Sequence, residues 1–319
     1  MTSSAPAPRV VASFAAIYLV WGSTFLAIRW AVETIPPFPM MAVRCLIGGG
    51  ILLVWSLLRE PADQRPTRRQ WAGAAVVGLF LFVGCHGLLA REEQFVPSGI
   101  SALCLATIPL FVPLLAWMLI GAGRTSLRTT VSLLAGFGGV ALLVAGLGAG
   151  GGLSAVDAAL LLLSAFSWAA GTIATRVVPI PPTPVAAAAA PLLAGGVALT
   201  LLSLVSGQAA DVDPAQISGR SLFGLVYLVL AGTVVTFSAY IWLLGHVAPT
   251  RVATYAFVNP AVAVLIGWAI ADEQITSATL LASAVIIVAV AMAVSDRSAG
   301  RERRAAAEPG DIAATPEPG

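Results

Sequence analysis

The sequence predicts an all-α integral membrane fold of ten transmembrane helices, arranged as two inverted five-helix repeats. Three observations carry this expectation. Of the 319 residues, 58% are hydrophobic and only 10% charged, against about 25% charged in soluble domains, too little charge to surface a water-soluble fold. Apolar runs of about 20 residues, the length a helix needs to cross a bilayer, recur along the chain. A set of spaced residues in the first half returns in the second.

Taken in order, the runs place spans near 10–31, 40–58, 71–90, 98–121, 129–147, 156–175, 185–204, 222–244, 252–271 and 276–294. Several contain no ionisable residue over about 20 positions, which a buried helix of a soluble core does not require. The first run is long for a signal peptide, has only Arg9 before it and is followed by further spans, so it is expected to be retained. The connections are short and leave no room for an inserted soluble domain. The glycine-rich stretch 146–152 reads as a hinge between units 10–147 and 154–294, and 297–319 reads as a disordered tail.

Cys45, Cys85 and Cys104 fall inside predicted spans, which argues for apolar packing rather than a disulfide scaffold or thiolate metal site. No cofactor is implied. A net charge of +2 does not point to nucleic acid; the arginines sort by membrane side instead. One side collects Arg9, Arg59, Arg65, Arg68, Arg69, Arg124, Arg128, Arg176, Arg251, Arg297, Arg301, Arg303 and Arg304. The opposite loops hold Glu33, Glu92, Glu93, Asp157, Asp211, Asp213, Asp272 and Glu273, with only Arg91 and Arg220. Both termini are therefore expected to be cytoplasmic.

The halves repeat. Trp21 and Arg29 recur as Trp168 and Arg176 at the same spacing, and Ile35-Pro36-Pro37-Phe38-Pro39 matches Ile180-Pro181-Pro182-Thr183-Pro184. Pro109, Trp117, Thr125 and Ser126 match Pro260, Trp268, Thr276 and Ser277 at constant offset. Five spans per unit is an odd number, so the second copy enters the membrane from the opposite side. Inverted repeats suit a carrier, because the two halves can exchange conformations around a midplane site. A channel would need a charged or carbonyl-lined filter, which the sequence does not offer.

Tyr18-Leu19-Val20-Trp21-Gly22-Ser23-Thr24, Ala42-Val43-Arg44, Val96-Pro97-Ser98-Gly99-Ile100, Ser167-Trp168 and Tyr255-Ala256-Phe257-Val258-Asn259-Pro260 together resemble the drug/metabolite transporter superfamily. The resemblance is to its bacterial EamA type and covers roughly 10–294. It implies an inner-membrane exporter of amino acids or other small metabolites, with a homodimer as an open option; Glu92 matches an acid of similar members. The family often places a Gly-Glu pair after the fourth and ninth spans. Here only Asp272-Glu273 follows the ninth, and Gly121-Ala122 stands after the fourth. Glu273 accordingly reads as a solvated loop residue, with Thr276 and Ser277 available to cap the tenth span.

Arg44 lies inside the second span, where a charge costs about 2.5–3.5 kcal/mol on insertion scales unless it snorkels or is partnered. It either reaches the headgroups past Pro39 or turns its guanidinium into the transport path. Arg29 and Arg176, nearer span ends, read as snorkelling residues. Glu92 and Glu93 are consistent with an ordinary solvated loop, and a lone His86 with a structural role. Polar residues at helical spacing form three stripes: Ser164, Trp168, Thr172 and Thr175; Thr233, Thr236 and Tyr240; Arg251, Tyr255 and Asn259. Each alone suits helix–helix hydrogen bonding; together they suit a pocket, to which Pro260 adds a freed backbone carbonyl. The candidate substrate-binding set is thus Arg44, Trp21, Trp168, Thr236, Tyr240, Tyr255 and Asn259, with Glu92 and His86 as gating or coupling candidates and no metal. Arg44 exchanging between Glu92 and a substrate carboxylate is the expected outer gate. Glycines at 48–50, 136, 138, 139, 195 and 196 suit close helix approach.

The function expected is secondary transport by alternating access, namely export of amino acids or related metabolites, with a small molecule and the bilayer as partners. No GxxxxGK[ST] phosphate loop is present, so a gradient would supply the energy. Multidrug efflux is the alternative, but the resemblance implies a first-span carboxylate for it and 10–31 has none. A membrane-embedded transferase would need clustered metal or phosphate ligands, absent from every predicted span.

Overall fold

Lipid offers no partner to a backbone amide, so each crossing segment must close its hydrogen bonds within itself. The structure, a computed structural model, describes residues 7–121, 126–147, 153–247 and 249–307. It answers that demand with helices alone, and no β-strand occurs among the described residues. They are α1 Ala7–Ala31, α2 Pro37–Arg59, α3 Arg68–Glu92, α4 Ser98–Ile120, α5 Leu127–Gly146, α6 Ala155–Ala174, α7 Pro184–Val205, α8 Gly219–His246, α9 Tyr255–Ala271 and α10 Ser277–Ser295. Among the described residues nine are long and apolar enough to cross a membrane. The exception, α9, has 17 residues, about 25 Å of helix, and comes after the single turn Pro249–Val252. Each boundary lies within three residues of its expected place. The helix of α10 continues to Ala307, where the sequence suggests disorder from 297. Residues 148–152 of the expected hinge and 308–319 of the tail lie outside the described residues.

Local chemistry starts and stops the helices. Thr67 with Gln70 and Ser154 with Asp157 form capping boxes for α3 and α6. Thr183 and Ser218 cap α7 and α8, and Thr276 accepts from the Thr279 amide at the start of α10. Gly121 ends α4 at φ 64° and Asp272 ends α9 at φ 52°, equivalent places in the two halves, each in the left-handed conformation that Gly and, less readily, Asp adopt.

Contacts between helices are themselves symmetric. α2 packs on α7, α4 on α9 and α5 on α10, each helix against its own counterpart; α1 lies against α8 and α9, as α6 lies against α3 and α4. Exchanging the halves maps this pattern onto itself, as a two-fold relation requires. Two departures from regular helix also recur. α4 breaks at Thr107, whose hydroxyl donates to the Cys104 carbonyl at 2.7 Å, and α9 is preceded by a break at Thr254, whose hydroxyl donates to the Arg251 carbonyl at 2.6 Å. π-helical turns occupy Leu79–Gly87 of α3 and Leu228–Val235 of α8. A further one, Ala16–Val20 in α1, has no counterpart in α6. Gly78 lets α3 and α7 meet: a Cβ there would stand 2.9 Å from the Gly195 nitrogen. The three cysteines are free and buried; Cys45, Cys85 and Cys104 pack with Met40, Met41 and Leu103 in the core.

Candidate functional site

Arg44 stands seven residues into α2, about 10 Å below its start, and is 8% exposed. It does not snorkel. Its Nε donates to Thr233 Oγ1 of α8 at 3.3 Å, Nη1 reaches Met41 Sδ at 3.8 Å, and Nη2 faces Gly232, 4.0 Å from where a Cβ would sit. No carboxylate among the described residues lies within ion-pair distance of it. A guanidinium with five donors in a fixed fork is thus held inside the bundle on one side-chain oxygen and a thioether.

The π turn of α8 explains the polar stripe there. Thr233 donates to the Leu228 carbonyl at 2.8 Å and Thr236 to Ala231 at 2.7 Å, each five residues back, so both hydroxyl protons mend carbonyls that the wide turn misaligns. Thr233 still accepts from Arg44. Thr236, a ligand candidate by its place in the sequence pattern, is fully buried with its proton committed to its own helix, and Thr233 takes its place beside Arg44.

Trp21 of α1 donates its indole N–H to the Gly232 carbonyl at 3.0 Å, on the same turn that faces Arg44. Its ring centroid lies 5.4 Å from Tyr240 of α8 and 5.2 Å from Tyr255 of α9, which are 6.0 Å apart. These three rings form a box, and Gly232 joins it to Arg44. Asn259, one turn beyond Tyr255, is 9% exposed, and its buried Oδ1 has no hydrogen-bond partner.

Trp168 does not join that box. It meets His86 at 5.2 Å, and His86 stacks on Phe82 at 5.6 Å. His86 Nδ1 donates to the Leu81 carbonyl at 3.0 Å, leaving Nε2 as an acceptor in the neutral ring. On this side Ser164 donates to the Cys85 carbonyl at 2.9 Å and Ser167 to that of Phe80 at 2.8 Å, so α6 satisfies the π turn of α3 as Trp21 satisfies that of α8. Thr172 and Thr175 bond carbonyls of their own helix.

The ends of α3, α4 and α9 correct three expectations. Glu273 is not a solvated loop residue: its side chain is 10% exposed, and it accepts from the main-chain nitrogens of Ser98 at 2.7 Å and Gly99 at 3.1 Å, two of the free donors that begin α4. Arg29 does not snorkel. Its Nε lies 3.8 Å from Glu273 and its Nη1 donates to the Val96 carbonyl at 2.7 Å. α1, α4 and the α9–α10 loop are clasped by this pair. Glu92 and Glu93 are not solvated either; both are buried. Glu92 pairs with Arg91 and faces Asp157, whereas the charges around Glu93 are Glu273, Arg29 and Arg44. The acid associated with Arg44 is thus Glu93, one residue on from the one the sequence singled out. Burial, then Glu273, push the Glu93 carboxyl well above the usual range, and Arg29 and Arg44 oppose this in part.

Above the start of α2, at the same end, an open hollow of about 370 Å³ is lined by Glu33, Pro36, Gln94, Gln208 and Asp211, within the size of small-molecule sites. Gln208 accepts from the Phe38 nitrogen at 3.0 Å, tying the α7–α8 loop to α2. Among the described residues no group of three or more His, Cys, Asp or Glu side chains could hold a metal ion.

The chain is 36% identical over 280 residues to an uncharacterized inner membrane transporter of Escherichia coli, YedA, covering 87% of this chain and 88% of that protein. It is 25% identical to the uncharacterized transporter YvbV of Bacillus subtilis, covering 94% and 96%. A solved crystal structure of a protein shares the fold, with a TM-score of 0.61 at 20% identity over 91% of this chain and 97% of that one. The model of the EamA-like transporter family matches twice, at residues 10–145 and 157–295. With one such match in each half of a multi-pass helical bundle, the chain belongs to the EamA-like transporter family, within the drug/metabolite transporters, and is a transporter of small molecules rather than an enzyme.

Proposed function

We propose that this chain is a secondary transporter exporting amino acids or related small metabolites by alternating access, and that Arg44 holds the substrate carboxylate. The observation that carries this is the buried guanidinium, in no ion pair among the described residues and one glycine away from the box of Trp21, Tyr240 and Tyr255. A charge placed inside a span is costly unless it is used, and a carboxylate would engage the free edge of the fork in two charge-assisted bonds. The rings suit the apolar or cationic remainder of the substrate, and Asn259 Oδ1 suits an ammonium or hydroxyl donor. In this reading 10–147 and 154–294 are the units that exchange states, the arginine-rich end is cytoplasmic, and the clasp of Arg29 with Glu273 closes the outer end.

Comparing the metabolites of medium and cells, with and without expression, tests the substrate class. Carboxylate-bearing amphiphiles are expected to accumulate in the medium, and to stop doing so with Arg44→Ala. Accumulation of cations without a carboxylate would favour drug efflux instead. The orientation has its own check: reporter fusions after Arg297 and within 211–219 are expected to report opposite sides, the first cytoplasmic. The same side for both would refute it.

A further inference from the structure

Glu93 is an acid of this region with no part in the transport reading. It is 1% exposed, and among the described residues no side chain gives either carboxylate oxygen a hydrogen bond; the main chain of Arg29 is turned to it. Glu273, by contrast, has two main-chain donors and Arg29. The groups that face Glu93 are Arg29 from α1, Arg44 from α2 and Glu273 from the α9–α10 loop; Arg91 and Glu92 precede it, and Asp157 of α6 faces Glu92 rather than Glu93. Arg29 is committed to Val96 and Glu273, and neither it nor Arg44 forms an ion pair with Glu93 among the described residues. An ionised carboxylate buried without hydrogen bonds costs several kcal/mol, and a neutral acid costs far less.

We propose that Glu93 is a proton-binding site, loaded while the clasp of Glu273 on α4 is shut and unloaded when the clasp opens. Lifting the α9–α10 loop from Ser98 and Gly99 removes the negative charge of Glu273 and admits water, so the carboxyl returns toward the ordinary value of about 4.3. The shut state binds more protons than the open one. Falling pH therefore favours shutting, and the linkage acts between the ordinary glutamate value and the raised one. Combined with the transport reading, on which only this step rests, acid on the outer side biases the carrier toward its outward-closed state, the proton leaving again to the side it came from when the clasp opens.

The proton itself is measured without substrate. In purified protein in lipid at neutral pH, infrared spectra are expected to show the carbonyl band of a protonated carboxyl group. It should be missing from Glu93→Gln and kept in Glu92→Gln; a band absent from the wild type, or persisting in Glu93→Gln, overturns the assignment. A second readout tracks the clasp. Ser98→Cys is labelled with a membrane-impermeant maleimide across pH and compared with the parent carrying only its native cysteines. Divided at each pH by the rate for the same cysteine in unfolded protein, which removes the thiolate's own rise with pH, labelling is expected to quicken as pH rises, by up to about tenfold for each unit separating the shut and open values. Adding Glu93→Gln should leave it slow and flat, and Glu93→Asp should keep the slope. A flat wild-type profile, or an unchanged slope in Glu93→Gln, overturns the proposal. An unaltered metabolite profile would count against transport instead and leave both readouts standing.

Discussion

Arg44→Lys is expected to cut transport of the exported metabolite into vesicles by about ten- to a hundredfold, the loss of one charge-assisted bond of about 1.5–3 kcal/mol at about 1.4 kcal/mol per tenfold. The ammonium keeps the charge, but cannot hold Thr233 and both oxygens of a carboxylate in the geometry that a planar fork allows. Arg44→Ala removes charge and fork together, and its expected loss is about a thousandfold, from about 4 kcal/mol for one partner of a buried hydrogen-bonded pair. A purely structural arginine predicts a different pattern. Because no carboxylate among the described residues lies within ion-pair distance of the guanidinium, Arg44→Met is expected to leave the melting temperature unchanged or raise it while abolishing transport. Normal insertion with wild-type rates in the lysine and alanine variants would end the substrate-binding assignment, and a melting temperature that falls with Arg44→Met would make the residue a scaffold element.

Glu273→Ala is expected to lower stability by about 2–4 kcal/mol. The carboxylate satisfies two main-chain donors at the start of α4, and charge-assisted bonds are worth about 1.5–3 kcal/mol each, before relaxation. Arg29 adds little to that figure, because its side chain is 33% exposed and the pair is screened. Glu273→Gln keeps an acceptor for the Ser98 nitrogen, so roughly half the loss is expected. Thermal melting in detergent measures both, and labelling of Ser98→Cys should rise in the same order. An alanine variant that melts and labels like the wild type would show that the clasp does not hold this end.

The clasp is not matched in the sequence of the other half. Glu273 corresponds to Ala122 across the repeat, so the carboxylate that bridges α1 and α4 at the acidic end has no equivalent acid at the arginine-rich end. Two halves that share helices, breaks and π turns thus differ in the side chain available to hold this end.

Span positions, the repeat and the transporter family were all legible from residue order, because lipid acts on each residue by its polarity and demands about 20 apolar positions per crossing. Trp21 and Trp168, Pro109 and Pro260 announced the two-fold relation before any contact was known. The facing of individual side chains was not legible. A π turn inserts a residue into the helix, rotating all later residues by about 100° relative to a straight α-helix. That shift sets Thr233 rather than Thr236 against Arg44 in α8, and leaves both hydroxyls mending the turn. Trp168 and Tyr240 each stand in a polar stripe that suits one common pocket, yet lie in separate aromatic groups because α6 packs on α3 while α8 packs on α1. Neighbouring Glu92 and Glu93 look equally solvated as letters; the end of α3 turns one toward Arg91 and Asp157, the other toward Arg29, Arg44 and Glu273. Glu273 itself read as a loop residue, since nothing local says that two amides of α4, some 175 positions away, point at it. One-dimensional polarity decided which segments enter the membrane; only helix rotation and long-range contact decided which of their polar groups meet.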